Sequence, residues 1–562
     1  MARDWWRDAV IHQVYPRSFQ DTDGDGVGDL HGITRRLPHV ASLGADAIWL
    51  GPLFASPERD MGHDVSDHTA VNPLFGTLED FDALLAGAHR LGLRVIIDQV
   101  LSHTSDQHPW FQESRHDRIN ARADWHVWAD PRPDGTPPNN WLSVFGGSAW
   151  TFDARRRQFF LHDFLPEQPD LNFHNPAVVD ALLGAMRFWL MRGVDGVRLD
   201  TVNYYVHNRR LRDNPVGDWT EFPVNPYDAQ DPRFSKTRPE NLGVLSRTRA
   251  LMDEFPGTAT VGEVGDVPSR QVDVMALYSS GGDKFHMTYS FEFLGPDRHA
   301  AHFRGAIERF RRGAPDGWTC WSFSNHDVPR HAGRWTRPGG DVDAVARPSI
   351  ALLCALPGTL GIFQGEELGQ VDTDIELHEL RDLGYLAFWP ENKGRDGCRT
   401  PMVWEHDAPA AGFSTGAPWL LVKEPQRARA ADLQEARPDS VLHAYRATLG
   451  FRRQTPALRE GTASFLDLPE PVLGVVRATA DETVTCLFNL GERPLDLSVA
   501  GEAEAAGPVH AGVEGGTVHL PAFGWAYLRG PSAPRVALLG DAPAPAPAVP
   551  HASLSNPNPA HA

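Results

Sequence analysis

The amino-acid sequence predicts an α/β fold with a parallel β-sheet across roughly its first 450 residues. Short runs of β-branched or apolar residues alternate there with longer stretches that have the apolar spacing of helices. Several of the predicted strands end in a carboxylate followed by a loop, which is where barrel folds place their active sites. The clearest predicted strands are 47–50, 95–98, 196–200 and 259–263, and the clearest predicted helices are 78–91 and 178–191.

Two long excursions interrupt this alternation. The strands that end at Asp98 and Asp200 are separated by roughly 100 residues, far more than an ordinary strand-to-helix connection contains. The Gly, Pro, Trp and Asn content of this stretch predicts an inserted, loop-rich subdomain at 104–174. A second excursion at 204–241, rich in Arg, Asp, Asn and Pro, is expected over the same face of the barrel.

The C-terminal part of the chain has a different pattern. Short alternating strands with turns between them predict a small antiparallel β-sandwich. The Ala/Pro-rich end has few large apolar residues and is predicted to be a disordered tail. The sandwich strands are expected at 472–478, 483–489 and 517–527. The predicted divisions are a barrel from 1–103 and 175–460, the insertion 104–174, the sandwich 461–530 and the tail 531–562.

Composition and charge exclude several classes of protein. Of the 562 residues, 41% are hydrophobic and 22% are charged, which is typical of a soluble globular chain. No apolar run reaches about 18 residues and the N-terminal residues lack the apolar core of a signal peptide, so we predict a cytoplasmic location and no membrane partner. The formal net charge of −20 disfavours nucleic acid as a partner and favours a neutral or cationic substrate.

Cysteine and tryptophan usage adds two further expectations. The cysteines form no C-x-x-C pair, which argues against a zinc site or a disulfide framework, so we expect free thiols that are buried or partly buried. The 17 tryptophans suit the stacking of sugar rings, although large aromatic side chains in a large core explain most of them. The four cysteines are Cys320, Cys354, Cys398 and Cys486.

An acidic cluster near the N-terminus is a candidate cation site. Carboxylates stand there at nearly every second position, with glycines that let the loop curl around one centre, and hard cations take several oxygen ligands at once. The cluster is similar to the first part of an EF-hand loop, but Gly32 stands where that loop has a bidentate glutamate. We predict a structural Ca²⁺ or Mg²⁺, against a hydrated acidic turn, and no organic cofactor. The predicted ligands are Asp21, Asp23, Asp25, Val27 and Asp29.

Four further segments carry a resemblance to a known family. They are Asp98-Gln-Val-Leu-Ser-His103, Gly196-Val-Arg-Leu-Asp200, Val261-Gly-Glu-Val264 and Phe323-Ser-Asn-His-Asp327. In order and spacing they resemble the four characteristic regions of the family 13 glycoside hydrolases, the α-amylase superfamily, and Gln168-Pro-Asp-Leu-Asn172 resembles the fifth region of its α-glucosidase and oligo-1,6-glucosidase branch. The resemblance implies a (β/α)₈ TIM barrel with an inserted loop-rich subdomain and a C-terminal antiparallel β-sandwich.

The chemistry of glycoside cleavage requires two carboxyl groups, one to attack or stabilise the anomeric carbon and one to protonate the leaving oxygen. The resemblance implies that Asp200 is the nucleophile, that Glu263 is the general acid/base and that Asp327 binds secondary hydroxyls of the sugar. Arg198 lies two residues before Asp200 on the same strand, so it projects to the same side and can hold Asp200 ionised. Neighbouring anionic carboxylates are expected to keep Glu263 protonated.

The same resemblance implies which residues bind the sugar. His103 and His326 are expected to donate hydrogen bonds to glucose hydroxyls. Arg399, in the segment 394–402, is expected to clamp the non-reducing glucose, and Phe145 to wall its pocket.

The loops after the first barrel strands determine whether such an enzyme has a closed pocket or an open cleft. Asp60-Met-Gly-His63 matches the branch's Asp-x-Gly-Tyr segment at Asp60, which is expected to bind the 4- and 6-hydroxyls and to make the enzyme exo-acting. His63 stands where the branch has a stacking tyrosine, and Ser102 stands where the family usually has asparagine. An imidazole is a smaller platform than a phenol and can be charged, so we expect weaker stacking and an additional acid limb in the pH profile.

Thr201 follows the predicted nucleophile. In the branch that the sequence resembles, threonine at this position accompanies a preference for α-1,4 linkages, and valine accompanies a preference for α-1,6 linkages. The sequence therefore predicts a retaining α-glucosidase, a monomer or homodimer, that acts on short α-glucosides such as maltose or sucrose. A transglucosylase, a sucrose isomerase or a trehalose-forming mutase would use the same glucosyl-enzyme intermediate and stays open. A catalytically dead sugar-binding subunit is disfavoured because all three carboxylates and Arg198 are present.

Overall fold

Eight parallel strands close into a barrel in the computed structural model, which describes residues 4–540. They are β1 (Val10–Val14), β2 (Ala47–Leu50), β3 (Arg94–Gln99), β4 (Gly196–Leu199), β5 (Ala259–Val264), β6 (Met287–Ser290), β7 (Thr319–Ser322) and β8 (Thr359–Phe363). Each strand pairs with the next along the chain, and β1 also pairs with β8, so that Ile11 lies opposite both Ala47 and Gly361. The predicted barrel fold is confirmed.

One long helix follows each barrel strand, and α2 illustrates why. Thr77 caps its first turn in a capping box with Asp80, and Phe81, Leu84 and Leu85 recur at helical spacing and are buried. The helices are α1 (Leu30–Leu43), α2 (Leu78–Arg90), α3 (Pro176–Met191), α4 (Asn241–Asp253), α5 (Gln271–Ser279), α6 (Ala300–Gly313), α7 (Val342–Ala355) and α8 (Val441–Gln454). Each therefore covers the barrel with an apolar face, as the alternating pattern predicted.

Side chains fill the barrel interior. Ile11, Trp49, Ile96, Val261 and Tyr289 belong to one buried cluster inside it, while the alternate strand residues pack outward against the helices. The filled interior leaves the loops at the strand ends as the place for a binding site.

The inserted segment contains a sheet of its own. Its three antiparallel strands lie in the order Trp128–Ala129, Gln158–Leu161, Trp150–Asp153, and a short helix, Pro109–Ser114, precedes them. An isolated bridge between His103 and Asp170 joins the segment to the end of β3. The insertion therefore lies against the barrel mouth, and its exact limits stay a prediction.

The second excursion lies against the first. A bridge pairs Val216 with Gln230, and the Asn225 Nδ2 group donates to the Val144 carbonyl at 2.7 Å.

The remaining short helices of the described residues, which lie mainly in loops, are Trp5–Asp8, Pro16–Ser18, Pro226–Ala229, His331–Arg334, Glu366–Leu368, Leu377–Glu379, Leu383–Phe388, Pro409–Gly412, Glu424–Arg427, Ala431–Glu435 and Pro456–Glu460.

Two antiparallel sheets form the C-terminal part of the chain. The first has the order Thr462–Phe465, Val472–Ala478, Thr483–Asn489, Trp525–Gly530, Glu504–Ala505, and the second has the order Gly512–Glu514, Thr517–Leu520, Leu495–Ala500, Arg535–Leu539. Leu487 of the first sheet and Leu497 of the second are fully buried in a shared apolar cluster. A two-stranded antiparallel sheet of Phe54–Ala55 and Asp67–Val71, near the N-terminus, completes the sheets of the described residues.

The structure corrects two predictions in this region. The run 517–527 is two strands, because the chain turns after Pro521, where the Gly524 N–H donates to the Pro521 carbonyl at 2.9 Å. The strand Arg535–Leu539 lies within the segment that we predicted to be a disordered tail, so that prediction is wrong for these residues. Residues 541–562 of the predicted tail lie outside the described residues.

All four cysteines are free and buried, as expected from their scattered positions. Among residues 4–540, none of the helices has the length and apolar character that a membrane crossing requires.

Candidate active site

Three charged residues meet at the C-terminal end of neighbouring barrel strands. Asp98 on β3 lies in register with Arg198 on β4, and Arg198 lies in register with Val261, two residues before Glu263 on β5. Because side chains alternate along a strand, Arg198 and Glu263 project to the same inner side. Asp200 follows β4 directly, and Asp327 follows β7 by five residues.

One guanidinium holds three carboxylates in this group. Arg198 Nη1 donates to Asp98 Oδ1 at 2.8 Å and to Asp200 Oδ1 at 2.7 Å, and Nη2 contacts the Glu263 carboxyl group. The Trp49 ring lies 4.9 Å from the guanidinium carbon, and its Nε1 group donates to Asp98 Oδ2 at 3.2 Å. Sequence reasoning quoted Asp98 only as part of a motif and missed its role in orienting Arg198.

Glu263 is fully buried, and its environment favours the protonated form. Burial raises the pKa of its carboxyl well above the usual value, and the charges of Asp200 and Asp327 raise it further, whereas Arg198 opposes the shift. The Thr201 backbone N–H donates to Glu263 Oε2 at 3.2 Å. The predicted general acid is therefore held as an acid beside the predicted nucleophile.

Asp327 is fixed by Arg399 and by its own loop. Arg399 Nη2 donates to Asp327 Oδ1 at 2.8 Å, while its Nε donates to the His326 carbonyl at 2.7 Å. Asn325 Oδ1 accepts from the backbone N–H groups of Asp327 and Val328, which closes a tight turn after β7. The structure thus brings Arg399 to Asp327.

Asp60 is held by two residues that sequence reasoning did not assign. Arg395 Nη2 donates to Asp60 Oδ1 at 2.6 Å, and Gln168 Nε2 donates to Asp60 Oδ2 at 3.0 Å. Arg395 is itself held by Asp382 through a 2.6 Å bond from Nε. Arg395 stands four residues before Arg399 in the segment 394–402, and this position was the only sequence signal for its role.

Three rings form a stack on one side of the site. His326 lies between Tyr15 and His63, with ring centroids 5.5 Å away from each and interplanar angles of 21° and 9°. Gln13 contacts His326 Nδ1 at 2.7 Å. Burial, with the nearby Arg399, lowers the pKa of His326 well below its usual value, so its ring is neutral at pH 7. His63 is therefore part of a ring stack within the protein, and its role as a platform for glucose stays a prediction.

Phe145 and the remaining predicted residues complete the group. The Phe145 ring packs edge-on against Tyr385 at 5.5 Å, and Arg395 lies 5.2 Å above it. The structure therefore gathers the eleven predicted catalytic and sugar-binding residues at one end of the barrel, and none of them is more than 7% exposed. They are Asp60, His63, His103, Phe145, Arg198, Asp200, Thr201, Glu263, His326, Asp327 and Arg399.

The acidic N-terminal loop is a separate cluster. Ligand atoms of Asp21, Asp23 and Asp29 lie within 4.8 Å of one another, and this is the one such group among residues 4–540. Asp25 is not a member of this group, and its Oδ1 accepts from the Val27 N–H at 2.7 Å. Asp29 also caps α1 by accepting from the Gly32 N–H. Carboxylate oxygens suit a hard cation, so the donor set of three fits Ca²⁺ or Mg²⁺.

Comparisons with known proteins agree with this geometry. The family model described as the catalytic domain of alpha amylase matches residues 13–461. A probable alpha-glucosidase of Rhizobium meliloti (strain 1021) is 57% identical over 497 residues, which are 87% of this chain and 90% of that protein. An oligo-1,6-glucosidase of Heyndrickxia coagulans is 35% identical over 535 residues, covering 88% of this chain and 93% of that protein.

Solved structures show the same similarity. An alpha-glucosyl transfer enzyme, XgtA, has a TM-score of 0.91 at 49% identity and covers 94% of this chain and 100% of its own. The trehalulose synthase MutB of Pseudomonas mesoacidophila MX-45 has a TM-score of 0.84 at 31% identity, with 94% and 100% covered. These similarities span the barrel and the strands that follow it.

Proposed function

The chain belongs to the α-amylase catalytic-domain family and is a glycoside hydrolase, and from this membership we propose that it is a retaining, exo-acting α-glucosidase. It releases α-glucose from the non-reducing end of short α-glucosides, with maltose-like α-1,4 substrates or sucrose favoured over α-1,6 substrates. The observation that carries this proposal is the contact of one buried guanidinium, Arg198, with both Asp200 and Glu263.

The proposed reaction has two displacements. Asp200 attacks the anomeric carbon while Glu263 gives its proton to the leaving oxygen, which yields a glucosyl-enzyme ester and the free aglycone. Glu263, now a carboxylate, takes a proton from water, and the water oxygen breaks the ester with net retention of configuration. The pairing of Asp200 with Arg198 and the raised pKa of Glu263 support these two roles.

The burial of the predicted sugar-binding residues supports exo action. Asp60, Asp327 and the two arginines that hold them are all buried, so they are suited to the hydroxyls of one terminal glucose. His103 and His326 contribute further hydrogen bonds to it, and Phe145 contributes an apolar wall. An open cleft for a polymer would leave such residues more accessible to water.

The linkage preference rests on Thr201. Its hydroxyl donates to Asp200 Oδ2 at 3.1 Å, so the residue contacts the predicted nucleophile directly. A single exchange of methyl for hydroxyl discriminates weakly between substrates, at roughly 10–200-fold, which makes α-1,4 preference a tendency.

Transfer of glucose to a sugar or alcohol is a second candidate function. The similarity to the transfer enzyme XgtA at 49% identity favours it, and the similarity to a trehalulose synthase adds sucrose isomerisation to the possibilities. Both reactions keep the glucosyl-enzyme ester and replace water as the second nucleophile.

We also propose a structural Ca²⁺ or Mg²⁺ at Asp21, Asp23 and Asp29, with Asp25 and the Val27 carbonyl as the further predicted ligands. The ion would tie the loop before α1 together and supplies no catalytic chemistry. Removal by a chelator is expected to lower the melting temperature, and Ca²⁺ or Mg²⁺ should restore it. Cytoplasmic location, a monomer or homodimer, and the absence of an organic cofactor stay predictions.

The test of the function is the initial rate of glucose release from equal concentrations of maltose, isomaltose, sucrose and trehalose, with Asp200→Ala as the control. Highest rates with maltose or sucrose and an inactive control support the proposal. A highest rate with isomaltose overturns the role of Thr201. Substrate loss that outpaces glucose release identifies transfer, and no cleavage by the intact enzyme overturns hydrolysis.

A further inference from the structure

A chain of hydrogen bonds joins His103 to Asp200 through two hydroxyl groups. His103 Nδ1 lies 2.9 Å from Ser102 Oγ, which lies 3.1 Å from Thr201 Oγ1, and Thr201 Oγ1 lies 3.1 Å from Asp200 Oδ2. All four residues are at most 3% exposed, so water does not compete for these bonds. The serine at 102, where the family usually has asparagine, is therefore a link between a sugar-binding residue and the predicted nucleophile.

Gln168 fixes the far end of this chain. Its Oε1 accepts from the Leu165 N–H at 3.0 Å and its Nε2 donates to Asp60 at 3.0 Å, which together set the orientation of the amide. The same Nε2 lies 3.0 Å from His103 Nε2, so that ring nitrogen is the acceptor. Burial lowers the pKa of His103 to about 4, and its neutral ring therefore carries its single proton on Nδ1.

This tautomer gives one hydrogen to each contact of the chain from Gln168 to Asp200. His103 Nδ1–H donates to Ser102, the Ser102 hydroxyl donates to Thr201, and the Thr201 hydroxyl donates to Asp200. In the other tautomer Ser102 would donate to Nδ1, and the Thr201 hydroxyl, with its single hydrogen, could donate to Ser102 or to Asp200 but not to both. That arrangement would let His103 Nε2 donate to the His63 carbonyl at 3.2 Å, but the Gln168 amide would then point at an N–H group.

The backbone of Thr201 is strained into this position. Its φ angle is +41°, a left-handed conformation that a β-branched residue rarely adopts. The conformation places the hydroxyl between Asp200 and Ser102 and turns the backbone N–H toward Glu263. The surrounding bonds therefore maintain a conformation that Thr201 would not adopt alone.

We infer that Ser102 is a positioning residue that sets the tautomer of His103 and completes a one-way hydrogen-bond relay from Gln168 to Asp200. His103 Nε2 then accepts from Gln168 and carries no proton to donate to a glucose hydroxyl, opposite to the donor role that the family resemblance implies. This role rests on the proposed function only in naming Asp200 as the nucleophile.

The first readout is the tautomer of His103 in the free enzyme. Long-range ¹H–¹⁵N spectra of ¹⁵N-histidine-labelled protein distinguish the two tautomers, and His103→Gln identifies the signal by its loss. We expect Nδ1–H in the wild type and in Ser102→Thr, which keeps the hydroxyl, and Nε2–H in Ser102→Ala. Ser349→Ala is a matched control, because Ser349 is a buried serine that bonds only within its own helix at Val345, and it should leave the signal unchanged.

The second readout is kinetic coupling. Ser102→Ala is expected to raise KM for maltose about tenfold, and Ser102→Thr should restore most of the loss. With Thr201→Val already present, Ser102→Ala should change KM less than twofold, because the relay is broken in both cases.

An Nε2–H wild type, an unchanged tautomer in Ser102→Ala, or equal effects of Ser102→Ala in both backgrounds would each overturn the inference. The spectra need no turnover, so an inactive enzyme with the expected tautomers would refute the proposed function and leave the role of Ser102 in place.

Discussion

The catalytic end of the barrel and the C-terminal sandwich use burial for opposite purposes. At the barrel end, Arg198 shares one buried group with Asp98, Asp200 and Glu263. In the sandwich, Leu487 and Leu497 are buried among other apolar side chains. Burial of apolar surface stabilises a fold, whereas burial of paired charges seldom does so on balance. We therefore expect changes at the barrel end to alter rates, and changes in the sandwich to alter stability.

The largest expected effect is on the rate of Asp200→Asn. An amide cannot attack the anomeric carbon, so we expect kcat for maltose to fall by about 10⁴-fold or more. The melting temperature should stay near that of the wild type, as measured by calorimetry. Asp496→Asn is a matched control, because Asp496 is an exposed carboxylate in the sandwich. If Asp200→Asn unfolds the chain instead, the separation of the two regions fails.

Glu263→Gln should show a smaller loss that depends on the leaving group. We expect kcat/KM for maltose to fall by about 10²–10⁴-fold, and that for p-nitrophenyl α-glucoside to fall less, because p-nitrophenolate leaves with little protonation.

The pH profile shows in which protonation state Glu263 is active. The wild-type enzyme needs Glu263 protonated and its pKa is raised, so activity should persist above the usual carboxyl range and fall as the pH rises through that pKa. This basic limb should disappear in Glu263→Gln with the nitrophenyl substrate. If the basic limb remains in Glu263→Gln, a group other than Glu263 is responsible for it.

Leu497→Ala tests the other region. Removal of this fully buried side chain leaves a cavity, and we expect the free energy of unfolding to fall by about 2–5 kcal/mol in denaturant titrations. The kcat/KM of the folded enzyme should not change. Leu539→Ala removes the same side chain from a 47% exposed position and should cost little. A loss of kcat/KM in Leu497→Ala at a temperature where the chain is folded would contradict the comparison.

The smallest effect is expected for His63→Tyr. A phenol offers a larger stacking face than an imidazole, so KM for maltose should fall by about 2–10-fold. An unchanged KM would show that His63 is not a platform.

The barrel could be predicted because its signals are local. The predicted strand 47–50 and the start of the helix at Leu78 agree with the structure, since apolar periodicity and a cap define them within a few residues. The predicted helix end at 91 is one residue beyond Arg90. The strand Arg535–Leu539 was missed because the Ala/Pro-rich composition around it predicts disorder, whereas pairing with Leu495–Ala500 defines the strand.

The site residues were found through family motifs, and their partners were not. The bond between Asp60 and Arg395 joins residues 335 positions apart, and the one between Arg198 and Asp98 spans 100. Such distances are set by barrel closure, which a local pattern does not encode. The relay through Ser102 was also beyond sequence reasoning, because it depends on the backbone angle at Thr201.

The burial of the thiols makes them reporters of chain opening. Burial raises the pKa of Cys320, Cys354 and Cys486 to about 12 and raises that of Cys398 as well, so all four stay as unreactive thiols in the native state. Native protein should react with iodoacetamide only as fast as it opens, and the four positions sample the barrel, a helix, the active-site loop and the sandwich. Site-resolved alkylation rates should therefore order the opening of these regions in time, without any introduced cysteine.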